Sequence, residues 1–312
     1  MTPEHKAMLV EALKEEKLTV CMCGDGANDC AALRTAHVGV SLSSEEASIA
    51  APFTSNIPDI SCLITILKEG KAALVTSIQT FKYMMVYSLI QFICVIILNV
   101  NESYLSDWQF LAVDLFIIIP LAFLIPYTKA YQKLTEKKPT DSLISFPIIC
   151  SILVQILITF FFQYSGYLAL NHIKWKNKEK IPKCELVERE VISCPLNTVI
   201  FLISNIQYLI AALAFNVSKP FKQLFYTNLF LTGYLLFSFD YSVYLIIGPF
   251  ENFSKKNLII FELNDIDKFI KFFVLILVLV NLILSYFYEK KLLPFLIKIW
   301  NKFKLKKLIE KS

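Results

Sequence analysis

Two regimes of hydrophobic patterning divide the chain. Up to about residue 75, short apolar runs alternate with charged stretches. Ala7 to Lys17 predicts a helix with Leu9, Val10 and Leu13 as its apolar positions. Leu18, Thr19, Val20, Cys21, Met22 and Cys23 form a continuous, partly β-branched run of the kind a buried parallel strand shows. A helix from Asp29 to Thr35 and a strand from Val38 to Leu42 are predicted to follow. Beyond this point the apolar stretches lengthen to about 20 residues, enough to cross a hydrocarbon core as a helix. Six spans are predicted, near 81–100, 108–127, 143–170, 196–216, 225–248 and 269–288. The expected fold is a multidomain membrane protein: a partial α/β layer over 1–75, an all-α bundle of six transmembrane helices over 76–288, and a basic tail over 289–312.

Composition agrees with that division. The 312 residues are 56% hydrophobic and 18% charged, and residues 1–17 are too polar for a signal peptide, so insertion is expected to rely on the spans themselves. The net charge of +5 comes mainly from lysines between and after the spans, which makes it an argument about membrane topology and none for a nucleic-acid partner. The eight cysteines are scattered. Cys21 and Cys23 have C-x-C metal spacing, but on a buried strand they share one face as small core residues. Cys184 and Cys194 stay open between two free thiols and a disulfide closing a short loop.

The densest candidate chemistry is Gly24-Asp25-Gly26-Ala27-Asn28-Asp29, at the carboxyl end of the first predicted strand, where open α/β sheets place their sites. The glycines permit unusual torsions and close approaches. Asp25 and Asp29 offer hard oxygen ligands suited to Mg2+, and Asn28 and Asp29 are placed to cap the next helix. Upstream, Thr2-Pro3-Glu4-His5-Lys6 sets Lys6 at a helix start, where an ammonium would neutralise a phosphoryl group. Polar residues inside apolar spans are the second constellation, because burying them in lipid is costly. Tyr83, Tyr87, Gln91 and Asn99 lie on the first span, Asn101, Glu102 and Asp107 at its far end, and Asp114 inside the second. Tyr87 and Gln91 share a helix face, as do Asp107 and Asp114. Two carboxylates on one wall of a cavity, with a phenol and an amide opposite, suit a linear cation carrying separated charges.

The Gly24 to Asp29 signature, with Lys6 in a Pro-x-x-Lys setting, resembles the haloacid-dehalogenase-like phosphorylation domain of P-type ATPases, and Glu45 to Ser55 resembles their type V branch. Glu69 to Ser77, Phe81 to Met84, Tyr87 to Phe92 and Gln109 to Asp114 are similar to its B subgroup, polyamine exporters of late endosomal, lysosomal or vacuolar membranes. The resemblance implies that Lys6, Asp25, Asn28 and Asp29 belong to the phosphorylation site. Lys6, Gly26 and Asn28 would contact the phosphoryl group, and Asp25 and Asp29 would hold Mg2+. It implies ATP as energy source, a polyamine or other organic cation as cargo, and Tyr87, Gln91, Asp107 and Asp114 along its path. The helix running from Lys68 into the first span would carry motion of the phosphorylation domain to the membrane.

With the phosphorylation domain in the cytosol, the chain ends on the cytosolic side. The lysines after the second and fourth spans and in the tail then obey the positive-inside tendency, while those between Asn171 and Pro195 do not. In the tail, Phe295, Leu296, Ile299, Trp300 and Phe303 share a helical face that either lies on anionic membrane lipid or belongs to a solvated helix. The departure from the family is that no Asp-Lys-Thr-Gly-Thr phosphorylation segment occurs. The nucleotide-binding and dephosphorylating domains and the earlier membrane helices have no counterpart either. The expectation is a carboxyl-terminal part of a pump, inactive without its amino-terminal partner. The alternatives are a fragment of the A subgroup, which extracts misinserted helices, and a non-catalytic truncated membrane protein.

Overall fold

The computed structural model describes residues 1–42, 46–57, 59–177, 195–248, 263 and 266–309. Cys184 and Cys194 lie outside the described residues. The chain divides into two compact units, Met1–Lys71 with Tyr131–Glu136, and Ala72–Ala130 with Lys137–Ser312.

The first unit is a small parallel α/β layer. Helix α1, Pro3–Glu15, starts earlier than its apolar pattern alone suggests: Thr2 is the N-cap, its side chain accepting from the His5 N–H, and Pro3 occupies the first turn. Lys17, at φ 58°, ends the helix in the left-handed region. That turn uses up Leu18, so strand β1 is Cys21–Gly24 and not the whole apolar run. β2, Val38–Ser41, pairs in parallel with β1 on one side and with β3, Phe53–Thr54, on the other, in the order β1-β2-β3. β1 is thus an edge strand, with Cys21 exposed and Cys23 half-buried, where two core cysteines were expected. Burial pushes the Cys23 thiol up to about 11, with Cys21 beside it adding to the effect. Helix α2, Cys30–Thr35, buries Ala32 and Leu33. Gly39 allows β2 to pass close to α2, since a Cβ there would stand 2.5 Å from the Leu33 carbonyl oxygen.

Six helices of the described residues are long and apolar enough to cross a membrane. The first is α3, Cys62–Val100, continuous through the end of the first unit. The second comprises α4, Asp107–Val113, a π-turn at Asp114–Ile118, α5, Ile119–Leu124, and a final 3-10 turn, Ile125–Tyr127. Pro120 explains the irregularity: it has no N–H for the Phe116 carbonyl four residues earlier, and the Tyr234 hydroxyl donates to that carbonyl instead. The remaining spans are α6, Phe146–Asn177; α7, Pro195–Ala214; α8, Leu229–Ile247; and α9, Lys268–Phe287. A second π-turn, Tyr288–Leu292, lies just before Pro294 and joins α9 to α10, Leu293–Ile309.

α7 is the hub of the second unit, buried on every side and packed on α6, α8 and α9. Its polar residues therefore face protein and are paired. Gln207 accepts from the Gln163 amide at 2.8 Å, Asn197 accepts from the Gln109 amide at 2.8 Å, and Asn205 donates to Ser242 at 3.5 Å. At the far end of the second span, Lys222 and Asn228 donate to the Ile125 and Leu124 carbonyls at 3.2 and 2.9 Å, closing a helix end that lacks intrahelical donors. Burial pushes the Lys222 ammonium down to about 8.

Candidate functional site

Each unit assembles one cluster of candidate residues. In the first, Lys6 on α1 places its ammonium 2.6 Å from Asp29 Oδ1. Asp29 is the last residue of a 3-10 turn, Ala27–Asp29, and its side chain makes no capping bond to α2, contrary to expectation. The carboxylate is held by Lys6 instead. Gly24 makes this possible, because a Cβ at that position would stand 2.5 Å from both the Asp29 Cβ and Oδ2. Gly26, by contrast, sits at φ −113° with its nearest potential neighbour at 4.0 Å, so neither torsion nor space demands glycine there. Asp25 and Asn28 are exposed beside the buried Asp29 at the carboxyl end of β1.

These groups fit Mg2+ in kind. Among the described residues no three His, Cys, Asp or Glu side chains gather into a metal cluster. Mg2+ typically takes one or two protein carboxylates and completes its shell with phosphate and water. Asp25 and Asp29 are the two carboxylates at this turn that could hold the ion.

In the second unit the Tyr87 hydroxyl donates to Asp114 Oδ1 at 2.6 Å. Gln91, one turn further along the same face of α3, interacts with the Tyr87 hydroxyl as well. Asp107 does not join them. It is exposed in the first turn of α4, after a Ser106–Gln109 capping box, where a carboxylate favours the helix dipole. The expected cavity with both aspartates on one wall is also replaced by another arrangement. A cavity of about 420 Å³ between α4, α7 and α8 is lined by Phe116, Phe201, Asn205, Tyr234 and Tyr241, with no carboxylate.

Tyr83, named with Tyr87 from the sequence, is fully buried one turn before it. Two features escaped the sequence reading. Tyr208 of α7 packs its ring 5.7 Å from that of Tyr87 and within electrostatic range of Asp114. The second is an ion pair, Lys82 Nζ to Glu289 Oε2 at 3.1 Å, with 13% and 6% of the two side chains exposed. Ser151 of α6 donates to the other Glu289 oxygen, and the Lys82 ammonium stands 4.3 Å over the Phe215 ring. A lysine inside an apolar span announces a partner, but the partner lay in what hydropathy assigns to the tail. In the tail, Trp300 stacks on Phe146 at 4.3 Å between centroids, while Phe295 and Phe303 are exposed.

No protein-family model matches the chain. Curated proteins do. The vacuolar cation-transporting ATPase YPK9 of Saccharomyces cerevisiae is 36% identical over 302 residues, 97% of this chain and 20% of its own length. The polyamine-transporting ATPase 13A3 of Homo sapiens is 39% identical over 268 residues, 80% of this chain and 22% of its own length. The probable cation-transporting ATPase catp-6 of Caenorhabditis elegans is 38% identical over 311 residues, 99% of this chain and 24% of its own length. The chain thus spans between a fifth and a quarter of the length of these relatives.

Proposed function

We propose, on the premise that the chain's relatives are P-type cation-transporting ATPases, that it is the carboxyl-terminal part of a pump of that kind whose cargo is a polyamine. The single observation that carries the cargo is the carboxylate of Asp114, inside a membrane span and held by the Tyr87 phenol of the neighbouring span. An acidic side chain there is too costly to serve packing alone. An amine cation would be attracted by the carboxylate and by the faces of Tyr87 and Tyr208. Gln91 would add a carbonyl acceptor one turn away.

In the first unit, which we read as a haloacid-dehalogenase-like remnant, the ammonium of Lys6 offsets negative charge on a phosphoryl group while orienting Asp29. Asp25 and Asp29 would hold Mg2+, which when bound supplies charge neutralisation to the phosphate. Asn28 offers an amide donor beside them. The acceptor aspartate and the nucleotide site belong to the rest of the pump, and ATP use is a property of the whole. Topologically the protein is multi-pass, and a late endosomal, lysosomal or vacuolar membrane fits the polyamine reading. The exposed stripe of Phe295, Leu296, Ile299 and Phe303 beside Lys298 and Lys302 supports docking of the tail on anionic lipid.

Gly24→Ala in the intact pump is expected to lower ATP-dependent phosphoenzyme formation about tenfold or more, because the new Cβ drives Asp29 from Lys6 and removes a charge-assisted contact. Unchanged phosphoenzyme levels would contradict the role given to that pair. The cargo is tested by ATPase stimulation of the purified pump. Spermine is expected to stimulate it, whereas stimulation by a hydrophobic helical peptide and not by spermine would place the chain with helix-extracting pumps.

A further inference from the structure

The cavity of about 420 Å³ between the second span, α7 and α8 is lined by neither Tyr87 nor Asp114. Its size falls within the range of small-molecule sites, about 300–1,000 Å³. On α8 the lining positions are Tyr234, Phe237, Ser238, Tyr241, Ser242 and Leu245, a single stripe at helical spacing, so the cavity follows the helix for about 16 Å. An elongated ligand fills that length. Phe116 and Phe237 line the cavity and are themselves exposed, on spans whose solvent is lipid. Access is therefore lateral, from the bilayer.

The chemistry of the wall narrows the occupant further. Neither a carboxylate nor an ammonium lines the cavity, so an amine cation and an anionic headgroup would both lack a counter-charge there. The polar contribution is a compact neutral group: Asn205 of α7 with Ser238 and Ser242 of α8, all buried. Ser242 donates to the Ser238 carbonyl at 2.8 Å, and the Asn205 amide donates to Ser242 at 3.5 Å, against about 2.7–3.2 Å for a well-formed bond. Asn205 is thus a buried amide on a loose partner, and a ligand hydroxyl would satisfy it better. The Phe237 and Tyr241 rings lie within 13° of parallel, an arrangement that packs a rigid planar body better than a kinked chain.

We propose that this cavity binds a sterol, a rigid, planar, uncharged membrane lipid whose single hydroxyl is held by Asn205 and Ser242. An acyl chain would leave Asn205 unmatched, and a phospholipid headgroup would find no cation. Phe116 and Ile117 belong to the π-turn that begins at Asp114, and the Tyr234 hydroxyl holds the Phe116 carbonyl. A sterol against them braces the backbone that carries Asp114. The proposal requires only that the spans lie in a membrane, and it is independent of the cargo.

The test is photolabelling of the intact pump in phosphatidylcholine vesicles with a sterol carrying a diazirine on its rings, followed by peptide mapping. Label is expected between Tyr234 and Leu245 or on Phe116 and Ile117. Excess cholesterol is expected to displace it, and the 3α-hydroxy epimer to compete about fivefold less well. Asn205→Leu is expected to reduce labelling about fivefold. The epimer comparison is made on the parent protein, so it decides the matter even where the variant fails to fold. Label elsewhere, equal displacement by both epimers, a folded Asn205→Leu variant labelled like the parent, or equal labelling of the same segment by a photoreactive fatty acid overturns the sterol site. So does the absence of label, the result expected where the amino-terminal spans of the pump close over Phe116 and Phe237.

Discussion

Asp114→Asn is expected to reduce polyamine-stimulated turnover of the intact pump about 100-fold or more. The substitution keeps the shape of the side chain and a carbonyl oxygen for the Tyr87 hydroxyl, which now approaches at 2.6 Å. What it removes is the negative charge. An ammonium brought to mid-membrane without that charge meets a penalty of about 2.5–3.5 kcal/mol on insertion scales, which alone gives the factor stated. Tyr87→Phe serves as the calibrating variant, since it removes one hydrogen bond to a charged group and is expected to cost roughly tenfold. Equal effects of the two substitutions would show that Asp114 acts through the tyrosine contact and not through charge.

The second large effect concerns folding. Glu289→Ala leaves the Lys82 ammonium buried beside Phe215 with no carboxylate, where Glu289 now stands at 3.1 Å. Breaking a buried pair on one side typically costs about 3–5 kcal/mol. The π-turn at Tyr288–Leu292 presents Glu289 and Lys290 in succession: Glu289 meets Lys82 and Ser151, and Lys290 donates to the Asn216 carbonyl just beyond α7. The cluster therefore ties α3, α6, α7 and α9 together, and its loss is expected to lower the melting temperature of the detergent-solubilised protein. The double variant Lys82→Met with Glu289→Met is expected to recover most of the loss, because neither charge then needs a partner. A single variant as stable as the parent would contradict the clamp.

The sequence was informative where local pattern decides the outcome. The six spans follow from apolar length, and the Gly24 to Asp29 turn from its composition, including the Lys6 and Asp29 that the fold brings together from either side of β1. Details set by particular backbone events were less visible. Thr2 and Pro3 moved the start of α1, the left-handed Lys17 shortened β1, and prolines 120 and 294 accompany π-turns that no hydropathy profile registers. Apart from Tyr87 opposite Asp114, long-range partners in the membrane part were not legible. Lys82 and Glu289 are 207 positions apart, and Tyr208 meets Tyr87 from a helix whose burial on every side only packing reveals. Asp107 shows the converse error. Its heptad spacing from Asp114 suggested a shared wall, but its place in the first turn of α4 leaves it exposed.

The most direct measurement is ATP-driven transport of labelled spermine across proteoliposomes containing the intact pump, with Asp114→Asn in parallel. Spermine transport is expected of the parent, and the variant is expected to form the phosphoenzyme but move no spermine. Undiminished transport by the variant, or a parent that moves an inorganic cation and no polyamine, would contradict the polyamine reading.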